Sequence, residues 1–122
     1  MKKFTKSLGY AMAGFQVMLR EVNFRIHMGA AALVLILSFW LGLTSTEWMV
    51  IVACIASVMA AEMFNTAIEQ LCNMTESNVH PIIKKIKDTS AAAVLVLALA
   101  ATICGTIVLL PKIMLTIQIY QP

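Results

Sequence analysis

The sequence has few charged residues for its length. Of its 122 residues, 12% are charged (nine Lys and Arg, six Asp and Glu), whereas 61% are hydrophobic. Soluble domains carry about 25% charged residues, and a soluble fold this small has too little interior to hide so much apolar surface. The same apolar content argues against intrinsic disorder. The composition therefore predicts a small integral membrane protein.

Other absences exclude further classes. The three cysteines, Cys54, Cys72 and Cys104, are widely spaced and form no CxxC pair, which argues against a disulfide framework or a zinc site. The five glycines are scattered, so the chain has no Walker A or kinase glycine-rich loop, and any nucleotide site must be assembled from helices. The net charge of +3 comes without a basic stripe interleaved with aromatics, so nucleic acid is not an expected partner.

Long apolar runs predict three membrane spans, at about residues 24–43, 47–71 and 89–110 of a single domain covering 1–122. Residues 42–46 are typical of a turn between the first two spans. Thr46 is the candidate N-cap of the second span, and Glu47 lies in its first turn, where a carboxylate suits the helix dipole. After the third span come Pro111, Lys112 and a short apolar tail.

Basic residues are unevenly distributed around these spans. Five Lys and Arg lie before or at the start of the first span, and three lie between the second and third spans. One follows the third span, and none lies in the turn between the first two. Basic residues favour the cytoplasmic side of a membrane. We therefore expect the N-terminus and residues 73–88 to be cytoplasmic and the C-terminus to be outside.

Residues 5–21 are too short and too polar to span a membrane, but they have a helical pattern. Four apolar residues recur at positions i, i+4, i+7 and i+11 of one stripe: Leu8, Met12, Phe15 and Leu19. This pattern predicts an amphipathic helix lying on the cytoplasmic leaflet. A helix packed against other helices is the alternative.

Two carboxylates and an amide interrupt the second span. Glu62, Asn65 and Glu69 are spaced i, i+3 and i+7, so they share one face of a helix. A charged residue inside a membrane costs on the order of 3 kcal/mol and is a functional candidate by default. The structural alternative is hydrogen bonding between helices, which one Asn could supply alone.

Depth separates the roles of these acids. Glu62 lies roughly 10 Å deeper than Glu69, at the depth of a lipid hydroxyl, where a carboxylate suits a general base. Glu69 and Glu21 lie at the cytoplasmic boundary and offer the hard oxygen ligands that suit Mg²⁺ carried in with phosphates. Lys87 offers a positive charge to phosphate oxygens, with Asp88 beside it. Together they indicate phosphoryl transfer at the membrane surface.

Two rival interpretations come from other classes. In a small proton-coupled transporter, Glu62 would carry the proton near the midplane, with water access from both sides. In a structural membrane subunit, the polar stripe would only hold helices together. A kinase instead requires a pocket on the cytoplasmic side.

Three stretches carry a resemblance to a known family. Residues 62–69, EMFNTAIE, resemble the E-x-x-N-[ST]-A-I-E signature of the prokaryotic diacylglycerol kinase family. Residues 87–95, KDTSAAAVL, are similar to that family's K-D-x-x-[AS]-[AG]-A-V-L stretch. Gly9-Tyr10 with Gly14, followed by residues 21–25, EVNFR, resembles its N-terminal E-x-N-x-[KR] region. The match runs from about Phe4 to Lys112.

The resemblance implies an all-α integral-membrane lipid kinase of the bacterial cytoplasmic (inner) membrane. It would be a homotrimer of three-span subunits, each with an N-terminal surface helix, and neighbouring subunits would share active sites at the cytoplasmic face. ATP would donate the phosphoryl group, with Mg²⁺ as cofactor. The acceptor would be a membrane lipid.

Carried over by position, Glu62 is the base acting on the lipid hydroxyl, and Asn65 supports the base and the lipid. Glu21 and Glu69 hold the divalent cation. We also place Trp40, an interfacial anchor, among the lipid-contacting residues. The expected nucleotide contacts are Lys3, Lys6, Tyr10, Glu21, Glu69, His80, Lys87 and Asp88. Lys3 and Lys6 are alternatives for one phosphate-binding lysine.

Two departures from the family pattern matter. Asn73 stands where the family often has an acid shortly after the second signature Glu. The stretches 21–23, 80–81 and 111–113 look more like the branch that phosphorylates undecaprenol than the diacylglycerol branch. Both products, phosphatidic acid and undecaprenyl phosphate, remain open.

Overall fold

The chain folds into four α-helices. The computed structural model describes residues 2–75 and 80–119, and the helices are α1 (Lys2–Met18), α2 (Val22–Trp40), α3 (Ser45–Thr75) and α4 (Pro81–Ile119). By length and composition, α2, α3 and α4 could each cross a membrane. The predicted all-helical architecture with three long apolar helices is confirmed. Cys54, Cys72 and Cys104 are free thiols, as predicted.

The turn between α2 and α3 is short and well capped. Gly42 has a φ of 62°, in the left-handed region that glycine adopts without steric cost. The Glu47 carboxylate accepts hydrogen bonds from the backbone N–H of Thr44 at 2.7 Å and from its hydroxyl at 2.8 Å. The Glu47 N–H in turn donates to the Thr44 hydroxyl at 3.4 Å, which completes a capping box. The prediction of Thr46 as N-cap was therefore wrong, because Thr44 holds that position and Thr46 lies inside the helix.

Helix α4 extends past the predicted span on both sides. It begins at Pro81, a residue suited to the first helical position because it lacks an N–H. His80 caps it, since its Nδ1 accepts a hydrogen bond from the Ile82 N–H at 3.3 Å. The helix then continues through Pro111 to Ile119. Its 39 residues correspond to a length of about 58 Å.

Helices α3 and α4 form an antiparallel pair, and α2 packs against α3. At one end of this pair, Leu43, Ile51 and Leu109 form a buried apolar cluster, and the Lys112 ammonium lies 3.0 Å from the Glu47 carboxylate. We call this region, residues 41–47 and 109–113, the turn end. The opposite region, residues 62–75 and 80–90, is the site end.

An apolar groove runs along the three long helices. It has a volume of about 510 Å³ and is lined by residues from His27 on α2 to Ile113 on α4. Small residues of α4 form part of its wall: Ala98, Ala101, Thr102 and Gly105. The groove reaches the buried apolar cluster, since Ile51 and Leu109 belong to both.

Helix α1 joins the rest of the chain mainly through its last turns. The rings of Phe15 and Phe24 pack edge to face with centroids 5.6 Å apart, Phe24 is fully buried, and Met18 is buried beside this junction. Residues 3–17 are exposed, including Leu8, Met12 and Phe15 of the apolar stripe that predicted a membrane-surface helix. That placement on the leaflet stays a prediction.

Candidate active site

The site end buries a cluster of polar side chains on one face of α3. Glu62 is 3% exposed, Asn65 is 5% exposed, and Thr66 is also buried, while Glu69 is half-buried. The spacing i, i+3, i+4 and i+7 places all four on one helical stripe. Sequence reasoning identified three of them and missed Thr66, although its offset of four from Glu62 places it on the same stripe.

Glu62 is the most deeply buried of these groups. Within residues 2–75 and 80–119, its carboxylate makes no hydrogen bond and no ion pair. Removing an ionised carboxylate from water without a partner costs several kcal/mol. A protein retains such a group where the carboxylate meets a ligand or a proton.

Asn65 links α3 to α4. Its Oδ1 accepts a hydrogen bond of 2.7 Å from the hydroxyl of Ser90, and that hydroxyl also lies 3.0 Å from the backbone carbonyl of Lys87. Sequence reasoning missed Ser90. The predicted spans gave no signal for it, because the pairing depends on the observed helix ends: Asn65 lies ten residues before Thr75 and Ser90 lies nine residues after Pro81.

The basic side chains of α4 are also placed by hydrogen bonds. Lys87 donates to the Oδ1 of Asn73 at 3.1 Å, so the residue that departs from the family pattern is the partner of this lysine. Asp88 pairs with Lys84 at 2.7 Å, and both side chains are largely exposed. An exposed pair of this kind is weak, so Asp88 remains available to another partner.

Two half-buried carboxylates lie apart from these bonds. Glu21 is the N-cap residue of α2, but its side chain makes no capping hydrogen bond. Glu69 likewise makes no side-chain hydrogen bond or ion pair in the part of the chain that the structure describes. No group of three or more His, Cys, Asp or Glu gathers there in a metal-binding arrangement. One chain thus offers individual carboxylate ligands without a complete cage.

The remaining predicted site residues lie elsewhere. Lys3, Lys6 and Tyr10 are exposed on α1, and Tyr10 is 76% exposed; among the described residues, no hydrogen bond joins them to α3 or α4. His80 caps α4 at the site end. Trp40 ends α2 next to the turn end and is 71% exposed, so it lies at the opposite end of the bundle from Asn65 and Ser90.

Comparison with known proteins relates this arrangement to a family. The sequence model for "Prokaryotic diacylglycerol kinase" matches residues 9–109, which includes every residue of the buried α3 stripe and both Asn65 and Ser90. The chain belongs to the prokaryotic diacylglycerol kinase family. This confirms the resemblance seen in the sequence motifs.

Individual members of the family match along most of their length. The chain is 38% identical over 114 residues to the undecaprenol kinase of Bacillus subtilis, covering 93% of each protein. It is 34% identical over 110 residues to a diacylglycerol kinase of Synechocystis, covering 88% of this chain and 63% of that protein. With the diacylglycerol kinase of Escherichia coli K12 the identity is 28% over 108 residues, covering 88% of each.

Membership in this family decides between the three classes considered from the sequence. The protein is an enzyme, a lipid kinase with membrane helices. A proton-coupled transporter and a purely structural subunit are thereby set aside.

Proposed function

We propose that this protein transfers the γ-phosphate of ATP to the hydroxyl of a membrane polyprenol, with undecaprenol as the preferred acceptor and undecaprenyl phosphate as the product. The observation that carries the kinase assignment is the buried, unpartnered carboxylate of Glu62 beside Asn65 in a member of this family. The similarity to an undecaprenol kinase over 93% of both chains supports the choice of lipid. Diacylglycerol is the alternative acceptor.

Glu62 acts as the general base in this proposal. The carboxylate takes the proton of the lipid hydroxyl as the hydroxyl oxygen forms a bond to the γ-phosphorus. The bond between that phosphorus and the oxygen bridging to the β-phosphate breaks, and ADP leaves. The burial of Glu62 on α3 supports this role, because it keeps water away from the acceptor hydroxyl.

Glu21 and Glu69 are the proposed ligands of a divalent cation that arrives with ATP. Their chemistry fits Mg²⁺, which is typically held by one or two protein carboxylates together with substrate phosphates rather than by a complete protein cage. Both are half-buried and make no internal side-chain hydrogen bond among the described residues. Such a cation neutralises charge on the β- and γ-phosphates during transfer.

The N-terminal turns of α4 and of α1 supply the proposed nucleotide contacts. Lys87 and Asp88 lie on the turn of α4 that also carries Ser90, so nucleotide and lipid would meet at one level of the bundle. Lys3 or Lys6, together with Tyr10, would reach the nucleotide from α1, and His80 lies at the same end. The exposure of α1 along residues 3–17 supports a partner for it outside the single chain.

A homotrimer is the proposed functional unit. The exposed α1 supports a unit in which neighbouring subunits share active sites. We place the protein in the bacterial cytoplasmic membrane with the site end on the cytoplasmic side. The eight basic residues on that side, against one on the other, support this orientation. Trp40 would then contact lipid at the outer boundary.

A side-by-side lipid assay tests this function. Purified protein in vesicles receives ATP labelled at the γ-phosphate and either undecaprenol or diacylglycerol, with and without a chelator. We expect labelled undecaprenyl phosphate to form faster than phosphatidic acid, with loss of both products on chelation and recovery on adding Mg²⁺. Faster labelling of diacylglycerol would reverse the choice of lipid. No labelled lipid from either acceptor would overturn the proposal.

A further inference from the structure

Ser90 is a polar residue of the site end whose position the family's K-D-x-x pattern leaves unspecified. We propose that it is a positioning residue for the acceptor hydroxyl. Its hydroxyl holds the Oδ1 of Asn65, so that the amide NH₂ of Asn65 donates to the oxygen of the lipid hydroxyl while Glu62 accepts the hydroxyl's proton. This inference rests on the proposed function.

The first argument is the geometry around Asn65. The Ser90 hydroxyl to Asn65 Oδ1 distance of 2.7 Å is at the favourable length for an O–H···O hydrogen bond. Asn65 is nearly fully buried, so few water molecules can bond to its amide and stabilise another orientation. Because Ser90 also lies 3.0 Å from the Lys87 carbonyl, the hydroxyl is held between α3 and the turn of α4 that carries Lys87.

The second argument is the balance of donors and acceptors. A serine hydroxyl has one proton, and donating it to Asn65 occupies the acceptor half of that amide. The NH₂ half, which can only donate, makes no hydrogen bond within residues 2–75 and 80–119. Glu62, three residues earlier on the same face, presents a carboxylate that can only accept when ionised. The site therefore offers one donor and one acceptor next to each other.

This pairing selects the chemical class of acceptor. A hydroxyl group accepts at its oxygen and donates its proton, so it satisfies Asn65 and Glu62 together. A protonated amine donates only and would leave the Asn65 amide without an acceptor, which is costly in a buried site. The arrangement thus fits a hydroxyl group and disfavours a protonated amine, and Ser90 acts on it through the orientation of Asn65.

Substitution of Ser90 tests the role, with its neighbour as control. Ser90→Ala removes the hydroxyl, and Ser90→Thr retains it. Thr89→Ala removes an exposed hydroxyl on the same turn, one that donates to the Lys85 carbonyl. We expect Ser90→Ala to lower kcat for the lipid about 3- to 10-fold, the value of one hydrogen bond. The KM of Ser90→Ala for ATP should stay unchanged. Ser90→Thr, which keeps the hydroxyl, and Thr89→Ala should both have a kcat near that of the wild type.

A second readout does not depend on turnover. The side-chain amide resonance of Asn65 in ¹⁵N-labelled protein is identified by its loss in Asn65→Ala, and it should shift in Ser90→Ala but not in Thr89→Ala. If Ser90→Ala fails to fold, Ser90→Cys replaces it in the test. Because the thiol is only a weak donor, we expect a kcat below that of the wild type but still measurable.

The outcomes separate this proposal from the function on which it rests. A Ser90→Ala protein with wild-type kcat, or one whose only change is a higher KM for ATP, would overturn the role of Ser90. So would a Ser90→Thr protein that is no more active than Ser90→Ala. A wild-type protein that phosphorylates no lipid would instead overturn the proposed function, whatever the Asn65 resonance shows.

Discussion

The two ends of the α3–α4 pair use their polar groups differently. At the turn end, Glu47 is bonded to Thr44 and paired with Lys112, and that lysine also lies 3.5 Å from the Gly42 carbonyl. At the site end, Glu62 and Glu69 have no such partner among the described residues, although Glu62 is buried more deeply than either Glu47 or Glu69.

This difference separates stability from reactivity within one helix pair. A paired and capped carboxylate lowers the free energy of the fold, because its hydrogen bonds are made within the chain. An unpaired buried carboxylate raises it, and its interactions remain available to a substrate. The turn end therefore uses its carboxylate for stability, whereas the site end leaves carboxylates available for the proposed chemistry.

The largest effect should come from removing the charge of Glu62. We expect Glu62→Gln to lower kcat by about 10²- to 10⁴-fold, the range that a general base contributes, while thermal stability stays equal or rises because a neutral amide is cheaper to bury. The measurement is lipid phosphorylation at saturating ATP together with a thermal melt in detergent. Glu47→Gln, the same change at the turn end, is the matched control. Turnover of Glu62→Gln near the wild-type rate would remove this residue as the base.

A smaller effect should follow from giving Lys87 a charged partner. In Asn73→Asp, a carboxylate replaces the neutral oxygen that lies 3.1 Å from the Lys87 ammonium, so the new ion pair competes with the phosphates of ATP. We expect the KM for ATP to rise about two- to five-fold, as for an exposed ion pair, with kcat unchanged.

Salt distinguishes this electrostatic cause from a change in packing. The increase in KM should shrink as ionic strength rises, because salt screens exposed charges. Asn73→Gln, which keeps a neutral acceptor, should behave like the wild type. An equal increase in KM for both variants, or one insensitive to salt, would contradict competition for Lys87.

The smallest effect on turnover should come from the turn end. Glu47→Gln weakens the capping box and removes the ion pair with Lys112, so we expect the unfolding midpoint to fall by a few degrees while the kcat of the folded enzyme stays within twofold of the wild type. Circular dichroism melts in detergent, paired with the lipid assay, measure both quantities. A kcat of the folded Glu47→Gln enzyme more than twofold below the wild-type value would contradict the separation between the two ends.

Periodicity predicted much of this architecture from sequence. The apolar runs predicted three long helices, and the spacing of Glu62, Asn65 and Glu69 predicted their common stripe on α3. Both signals are local, since they depend on residues within a few turns of one helix. The motif from Glu62 to Glu69 also indicated the family correctly.

Features that depend on contacts between elements were not predictable in the same way. The N-cap of α3 is different, because it is local: Thr44, Ser45 and Thr46 all qualify by residue type, but the offset of three from Thr44 to Glu47 is a capping-box signal that the sequence carried and the prediction missed. Ser90 is one serine at the start of an apolar run, and only the pairing of α3 with α4 brings it to Asn65. Pro111 is ordinarily a helix breaker, but α4 continues through it, as membrane helices tolerate when neighbouring groups compensate the lost bond.

The length of α4 has a mechanical consequence. Lys87 and Lys112 are 25 residues apart on one unbroken helix, close to seven turns, so they lie on the same face and about 37 Å from each other. Both reach across to α3, one to Asn73 and the other to Glu47. Two attachment points so far apart oppose sliding or rotation of α4 against α3, because either motion would break both contacts. Opening of the site for substrate exchange should therefore come from α1 and α2, with α3 and α4 moving as one rigid unit.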